Sequence, residues 1–270
     1  MFRDGSAPGE WFYYSRMFYK VGITVHLAAI LPAGLLATLQ LVPVIRYKAL
    51  VFHRINGYAA LSLLLIGVVG ALMITRWAFG GTLDMQCLMG VLAISSLGSA
   101  VLAYYNIKVL QIDQHRAWML RAWTYAASIV TLRIIMIISA IIVSGPGNYY
   151  IAMPCRKIKF IDGDLSRYSS CVADPDAQAA VLADFGAEKG LEHTAAAMDM
   201  SFGMAGWLAL LLHAVGVELY LRLTPTEGER LRQVSWERET ERGSKHPGSA
   251  GLTVDRIGDA DKWEPRSVDK

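Results

Sequence analysis

Apolar residues in this chain come in long unbroken stretches rather than in the alternating or 3.6-residue patterns of a half-buried surface. Five stretches are long enough to cross roughly 30 Å of hydrocarbon as helices. They lie at about 19–42, 51–75, 86–108, 117–143 and 201–222. The pattern predicts an all-α, polytopic membrane helix bundle, a multi-pass protein whose first partner is the lipid bilayer. It divides into an aromatic N-terminal segment (1–18), a four-helix core (19–144), a long loop (145–200), a fifth helix (201–223) and a polar tail (224–270). The first stretch starts too far in, and is too long, for a cleaved signal peptide.

Composition agrees with that division. Hydrophobic residues make up 54% of the 270 positions and charged residues only 18%, with mean hydropathy +0.34; soluble domains carry about 25% charged residues. The net charge of +3 is small and evenly spread, which argues against nucleic acid as a partner. Loop charges predict orientation. Arg46, Lys48 and Arg54 follow helix 1, and Lys108, Arg116 and Arg121 follow helix 3. The loop between helices 4 and 5 is acidic on balance, with Asp162, Asp164, Asp174, Asp176, Asp184, Glu188, Glu192 and Asp199. Lys/Arg excess belongs in the cytoplasm, so the N-terminus is expected outside and the C-terminus inside. Cys155 and Cys171 then share the oxidising side and are expected to form a disulfide, with Cys87 left over.

Outside the helices the chain is less informative. Trp11, Phe12, Tyr13, Tyr14, Phe18 and Tyr19 read as a headgroup-level anchor before helix 1. Ala-rich Asp176–Ala197 suggests an amphipathic helix lying on the outer surface. The tail is charged, rich in Gly and Ser, and without apolar period, so it is expected to be disordered apart from a turn or two near Glu227–Glu241. No Asn-x-Ser/Thr site and no lipidation motif is present.

Ionisable groups at the edges of the apolar stretches are the candidate chemistry, because they are costly where lipid replaces water. Two pairs stand out, His53-Arg54 and His115-Arg116, each at the start of an outward-running helix. They suggest a short internal repeat. His115 and Arg133 are 18 residues apart, five whole turns, and so mark one stripe of helix 4 about 27 Å long. The His53 face of helix 2 carries Gly57, Ala60, Leu64, Gly67 and Ala71. Small residues there serve close helix packing, the plainer reading, or leave room for a flat cofactor. Glu218 in helix 5 needs a partner at its depth, and Arg54 and Arg121 are the nearest candidates.

The run His26…Gln40…Pro43…Arg46…His53-Arg54…Gly57-Tyr58, followed by His115-Arg116…Trp118-Met119…Arg121…Arg133, resembles a family of predicted membrane proteins of bacteria and fungi known as a domain of unknown function. The likeness spans about 20–140, with Trp207 and Glu218 as further points of contact. It implies a polytopic membrane protein and no particular reaction. A second likeness is to transmembrane b-type cytochromes and ferric reductases. It implies haem b held by His53 and His115 as axial iron ligands, with Arg54, Arg116, Arg121 and Arg133 in the cofactor site. This chain departs from those proteins in lacking a second equal-depth His pair, since His26 and His213 are offset by about 10 Å. Three functions therefore compete. One is a haem-binding redox protein. Another is a membrane enzyme on a lipid-like or isoprenoid substrate, with catalytic Glu218 or His115 moving protons. The third is a non-catalytic scaffold or transporter.

Overall fold

The computed structural model describes residues 5–266. Residues 1–4 of the N-terminal segment, 267–270 of the tail and the side chains of Arg46 and Ala187 lie outside the described residues. The chain is mostly helical. A short α1 (Trp11–Tyr14) precedes α2 (Met17–Leu41), α3 (Pro43–Lys48) and α4 (Leu50–Ile74). A tight turn leads to α5 (Leu83–Lys108) and α6 (Ile112–Ser144). Then come β1 (Tyr150–Pro154), α7 (Cys155–Asp162), α8 (Ser169–Ala173), β2 (Gln178–Leu182), α9 (Leu191–Leu223), α10 (Pro225–Glu241) and α11 (Val254–Ile257). Among the described residues, five helices (α2, α4, α5, α6 and α9) have the length and composition to cross a membrane.

These five match the predicted stretches, with α6 and α9 longer at the ends where polar residues begin. Hydropathy ends where Asp113, His115 and Arg116 begin, but a helix ends only where its backbone is capped or broken. The Ile112 amide at the start of α6 donates to Ser235 Oγ at 2.8 Å, a cap supplied from far along the chain. Elsewhere the stop is local: Val42 is extended before Pro43, and α2 ends at Leu41.

The structure divides into two compact units, Met1–Val91 with Ile129–Ala209, and Leu92–Ser128 with Leu210–Lys270. In the first, α2 and α4 pack along small residues. Ala29, Ala33 and Ala37 on α2 and Ala60, Leu64, Gly67 and Gly70 on α4 are buried. A Cβ on Gly70 would lie 2.6 Å from the His26 backbone nitrogen, so only glycine permits this approach. The small face of α4 is thus spent on helix packing, and a Cβ on Gly57 would lie 3.6 Å from Gln40 Oε1, in ordinary contact.

The predicted loop 145–200 is a folded cap. Strands β1 and β2 pair antiparallel, with Tyr150 opposite Leu182 and Pro154 opposite Gln178. The Cys155–Cys171 disulfide forms as expected and sits in a core with Met153, Ile158, Val181, Ala195 and Ala196. Of the helix expected over Asp176–Ala197, only residues 191–197 are α-helical, as the start of α9. The first part of the stretch is β2, and Gly186 and Gly190 break the chain before α9 begins at Leu191. The backbone hydrogen bonds of β1 outweigh the helix propensity of an Ala-rich stretch.

In the second unit, the tail expected to be disordered is ordered. Helix α10 runs for 17 residues, and the segment after it folds back onto the turn between α5 and α6. Gly251 N donates to Gln111 Oε1 (3.0 Å) and Leu252 N to Asn106 Oδ1 (2.9 Å), while Gln111 Nε2 donates to the Gly248 carbonyl (3.1 Å). Arg232 pairs with Asp255 at 2.6 Å and stacks on Trp263. The tail has no apolar period because it is held by polar contacts to groups remote in sequence.

Candidate functional site

In the second unit, Arg121 is the partner of Glu218. Its Nε and Nη2 donate to the two carboxylate oxygens at 2.6 and 2.9 Å, and its guanidinium stacks on Trp118. The bidentate fork satisfies both charges inside an apolar stretch, which explains how Arg and Glu are tolerated there. Arg116 stacks on Tyr220 and donates to Thr224 Oγ1 at 3.3 Å. His115 and His213 each place Nδ1 against a backbone carbonyl, Ala103 at 2.9 Å and Thr124 at 2.7 Å. A carbonyl only accepts, so each Nδ1 carries the proton.

In the first unit, His26 Nδ1 likewise donates to the Gly67 carbonyl at 2.8 Å. Gln40 Nε2 donates to the His53 carbonyl (3.0 Å), and Asn56 Nδ2 to that of Leu36 (2.9 Å). Arg54 is exposed. His26 stands beside Gly70, 17 residues from His53 along α4, so the two imidazoles are roughly 25 Å apart in depth. His213 faces Thr124, nine residues beyond His115, a separation of roughly 13 Å. Within its own unit, neither His26 with His53 nor His115 with His213 shares a depth, and the Gln40 side chain lies near Gly57.

A double-mutant cycle probes the Arg121–Glu218 fork. Arg121→Ala and Glu218→Ala should each destabilise the folded protein by about 1–3 kcal/mol by stranding the other charge. The double variant should lose less than the sum. Additive losses in detergent unfolding would mean that the fork contributes nothing.

Three deeply buried charges in the first unit come together in a cluster that sequence reasoning did not mark. Lys157 is 1% exposed, Glu10 2% and Asp199 4%. Lys157 Nζ donates to Asp199 Oδ2 at 2.8 Å and lies 3.7 Å from Glu10 Oε1. Glu10 Oε2 accepts from Tyr14 Oη (2.9 Å) and from the Phe79 amide (3.0 Å). That amide belongs to the α4–α5 turn, where Phe79, Gly80 and Gly81 all have positive φ, and a Cβ on Gly81 would lie 2.0 Å from the Arg76 carbonyl oxygen. The Asp199 side chain rests against Gly80. Arg133 covers the same turn, its guanidinium 4.6 Å from the Phe79 ring centre and 5.3 Å from that of Phe202. The cluster thus ties together α1, the α4–α5 turn, α7 of the cap and α9.

Burial raises the Glu10 carboxyl to about 7; Lys157 opposes the shift and Asp199 adds to it. Burial pulls the Lys157 ammonium down, but Asp199 and Glu10 more than offset this and hold it above the usual lysine value. Tyr14 is pushed up, by burial first and then by Glu10. Two carboxylates share one ammonium, so a proton on Glu10 is the natural way to balance the cluster at mild acidity. The only hint in the sequence is that Lys157 follows Cys155 by two residues. Nothing local connects it with Glu10 or Asp199.

Residues 23–154 match the model of a family described as predicted membrane protein (DUF2306). This is a multi-pass membrane protein. No curated protein and no solved structure matches the chain. The matched stretch, slightly under half of the chain, includes His26, His53, Arg54, His115, Arg116, Arg121 and Arg133. Glu10, Lys157, Asp199 and Glu218 lie outside it, as do α9 and the tail.

Proposed function

We propose that this protein is a membrane scaffold whose folded cap is latched to its helices by a proton-sensitive charge cluster. The observation that carries this reading is the full burial of Lys157 between Glu10 and Asp199, where cap and helices meet. The polar groups within the apolar stretches support the scaffold role. Arg121, Glu218, Asn56 and the Nδ1 atoms of His26, His115 and His213 are each engaged with another helix or with a neighbouring carbonyl. Such contacts act as glue between helices.

The direction of the pH response follows from Glu10. Its folded value, about 7, is above the ordinary value of 4.5, so the proton favours the folded state. This stabilisation is complete below about pH 4.5 and disappears as pH rises through 7. Lys157, held above 10.5, stays charged throughout that window. Asp199, Tyr13, Tyr14 and Arg133 are the other titratable or charged groups around Glu10, with Arg16 acting on Tyr13. The cap is therefore held most firmly in mild acid and loosens as pH rises to neutrality.

Thermal unfolding and limited proteolysis of the cap, followed from pH 5 to 8, test this. The wild-type midpoint should fall from pH 5 to about 7 and level off towards pH 8, and Glu10→Gln should flatten the profile. Identical profiles for the two proteins would overturn the latch. The scaffold reading also expects a colourless protein after expression with ample haem. A Soret band lost in His115→Ala would replace it with the redox reading.

A further inference from the structure

Beside the charge cluster, six aromatic rings form a continuous chain from the cap to the first membrane helix. Phe160 of α7 meets Phe12 (5.7 Å), Phe12 meets Tyr13 (4.9 Å), and Tyr13 stacks on Trp77 (4.9 Å). Trp77 Nε1 donates to Tyr19 Oη at 2.6 Å, and Tyr19 packs edge-on against Phe18 (5.3 Å). Two guanidinium groups lie on this chain, Arg16 over Phe12 at 5.7 Å and Arg76 over Trp77 at 5.4 Å. Lys20 is four residues beyond Arg16, and all three cations are exposed. Among the described residues, no carboxylate forms an ion pair with any of them.

The position of these cations is informative. Tyr19 and Trp77 join the first turn of α2 to the segment just after α4, the same end of two apolar helices. Next to it the helix surface is apolar and exposed at Met17, Phe18, Val21, Val69 and Leu72. Aromatic rings set at headgroup depth, cations stacked on them and an acyl-compatible wall alongside make one continuous amphipathic surface. Loop charges assign this end to the outside, where no cation excess is required for insertion. Orientation therefore does not account for Arg16, Lys20 and Arg76.

We propose that this surface binds the phosphate headgroup of an anionic phospholipid in the leaflet on the cap side. Arg16 and Arg76 hold the phosphate by charge-assisted hydrogen bonds while their planar faces stay on Phe12 and Trp77. The acyl chains lie along α2 and α4. This proposal does not depend on the proton latch.

Native mass spectrometry of the full chain in detergent, titrated with phosphatidylglycerol or phosphatidylcholine, tests it. The wild type should retain phosphatidylglycerol in preference to phosphatidylcholine. Arg16→Ala combined with Arg76→Ala should weaken phosphatidylglycerol retention by roughly twenty-five-fold, at about a fivefold loss per removed cation. An Arg16→Lys, Arg76→Lys pair, which keeps the charge, should retain part of the preference. Melting points matched to wild type exclude misfolding as the cause of any loss. Excess inorganic phosphate should fail to displace the lipid; displacement by phosphate alone would mean an ion site without lipid specificity and overturn the proposal. Equal retention of the two lipids, or a preference surviving in the double alanine variant, would overturn it as well.

Discussion

Lys157→Met should destabilise the folded protein by about 3–5 kcal/mol at neutral pH, the usual penalty for removing one partner of a buried ion pair. Methionine keeps the length and apolar stem of lysine, so packing around α7 is nearly preserved. What is lost is the one cation between Glu10 and Asp199, both almost completely buried. Two carboxylates left facing each other in an apolar site cannot both stay ionised, and one must take up a proton. The deficit should therefore shrink as pH falls towards 5. A triple variant, Glu10→Gln with Lys157→Met and Asp199→Asn, should be more stable than the single variant, because no uncompensated charge remains. Chemical unfolding in micelles gives the numbers, and protease sensitivity of the cap locates the change. A Lys157→Met protein within about 1 kcal/mol of wild type at pH 7.5 would show that the cluster does not hold the cap.

Removing the Cys155–Cys171 crosslink should cost about 3 kcal/mol, the value expected for a closed loop of this size. The two cysteines are 16 residues apart and enclose α7 and the turn before α8. Cys155 opens α7, and Lys157 lies on that helix's first turn, so the crosslink also limits where Lys157 can go. Cys155→Ala with Cys171→Ala should lower the melting point and expose the cap to proteases more than it disturbs the membrane helices. Alkylation gives an independent check. Cys87 is exposed and should label at once, whereas Cys155 and Cys171 should label only after reduction. Free labelling of all three without reductant would contradict the bridge.

These two experiments concern the part of the molecule that was hardest to read beforehand. The five membrane-length helices were legible because lipid imposes a simple demand: about twenty apolar residues in a row, with every backbone group satisfied within the helix. The disulfide was legible for a related reason, since two cysteines in one loop have few other partners. The Gly- and Ala-rich face of α4 was legible as a close-packing surface: Ala60, Leu64 and Gly67 are buried, and a Cβ on Gly67 would lie 3.3 Å from the Ile30 side chain of α2. The partner of Glu218 was narrowed to two residues by depth, and tertiary structure chose Arg121.

Elsewhere the pattern of residues pointed the wrong way or nowhere. The tail lacks apolar periodicity and so resembled disorder, yet Gln111, Asn106 and the Ile112 amide hold it through hydrogen bonds that leave no periodic trace. The Ala-rich stretch before α9 resembled a helix, but pairing with β1 turned part of it into a strand. Glu10, Lys157 and Asp199 come from three distant segments, and each alone looks like an ordinary solvated charge.

By itself, the sequence determined that this chain crosses a membrane several times, roughly where each crossing lies, and that one loop carries a crosslink. These properties depend on local composition and on the solvent around the helix, and both are written residue by residue. Only the tertiary structure decided which charges are buried and paired, and that the cap and tail are folded at all. A charge is stabilised by the groups within a few ångströms of it in space, and for Lys157 those groups arrive from the N-terminal segment and from α9, 42 residues further on.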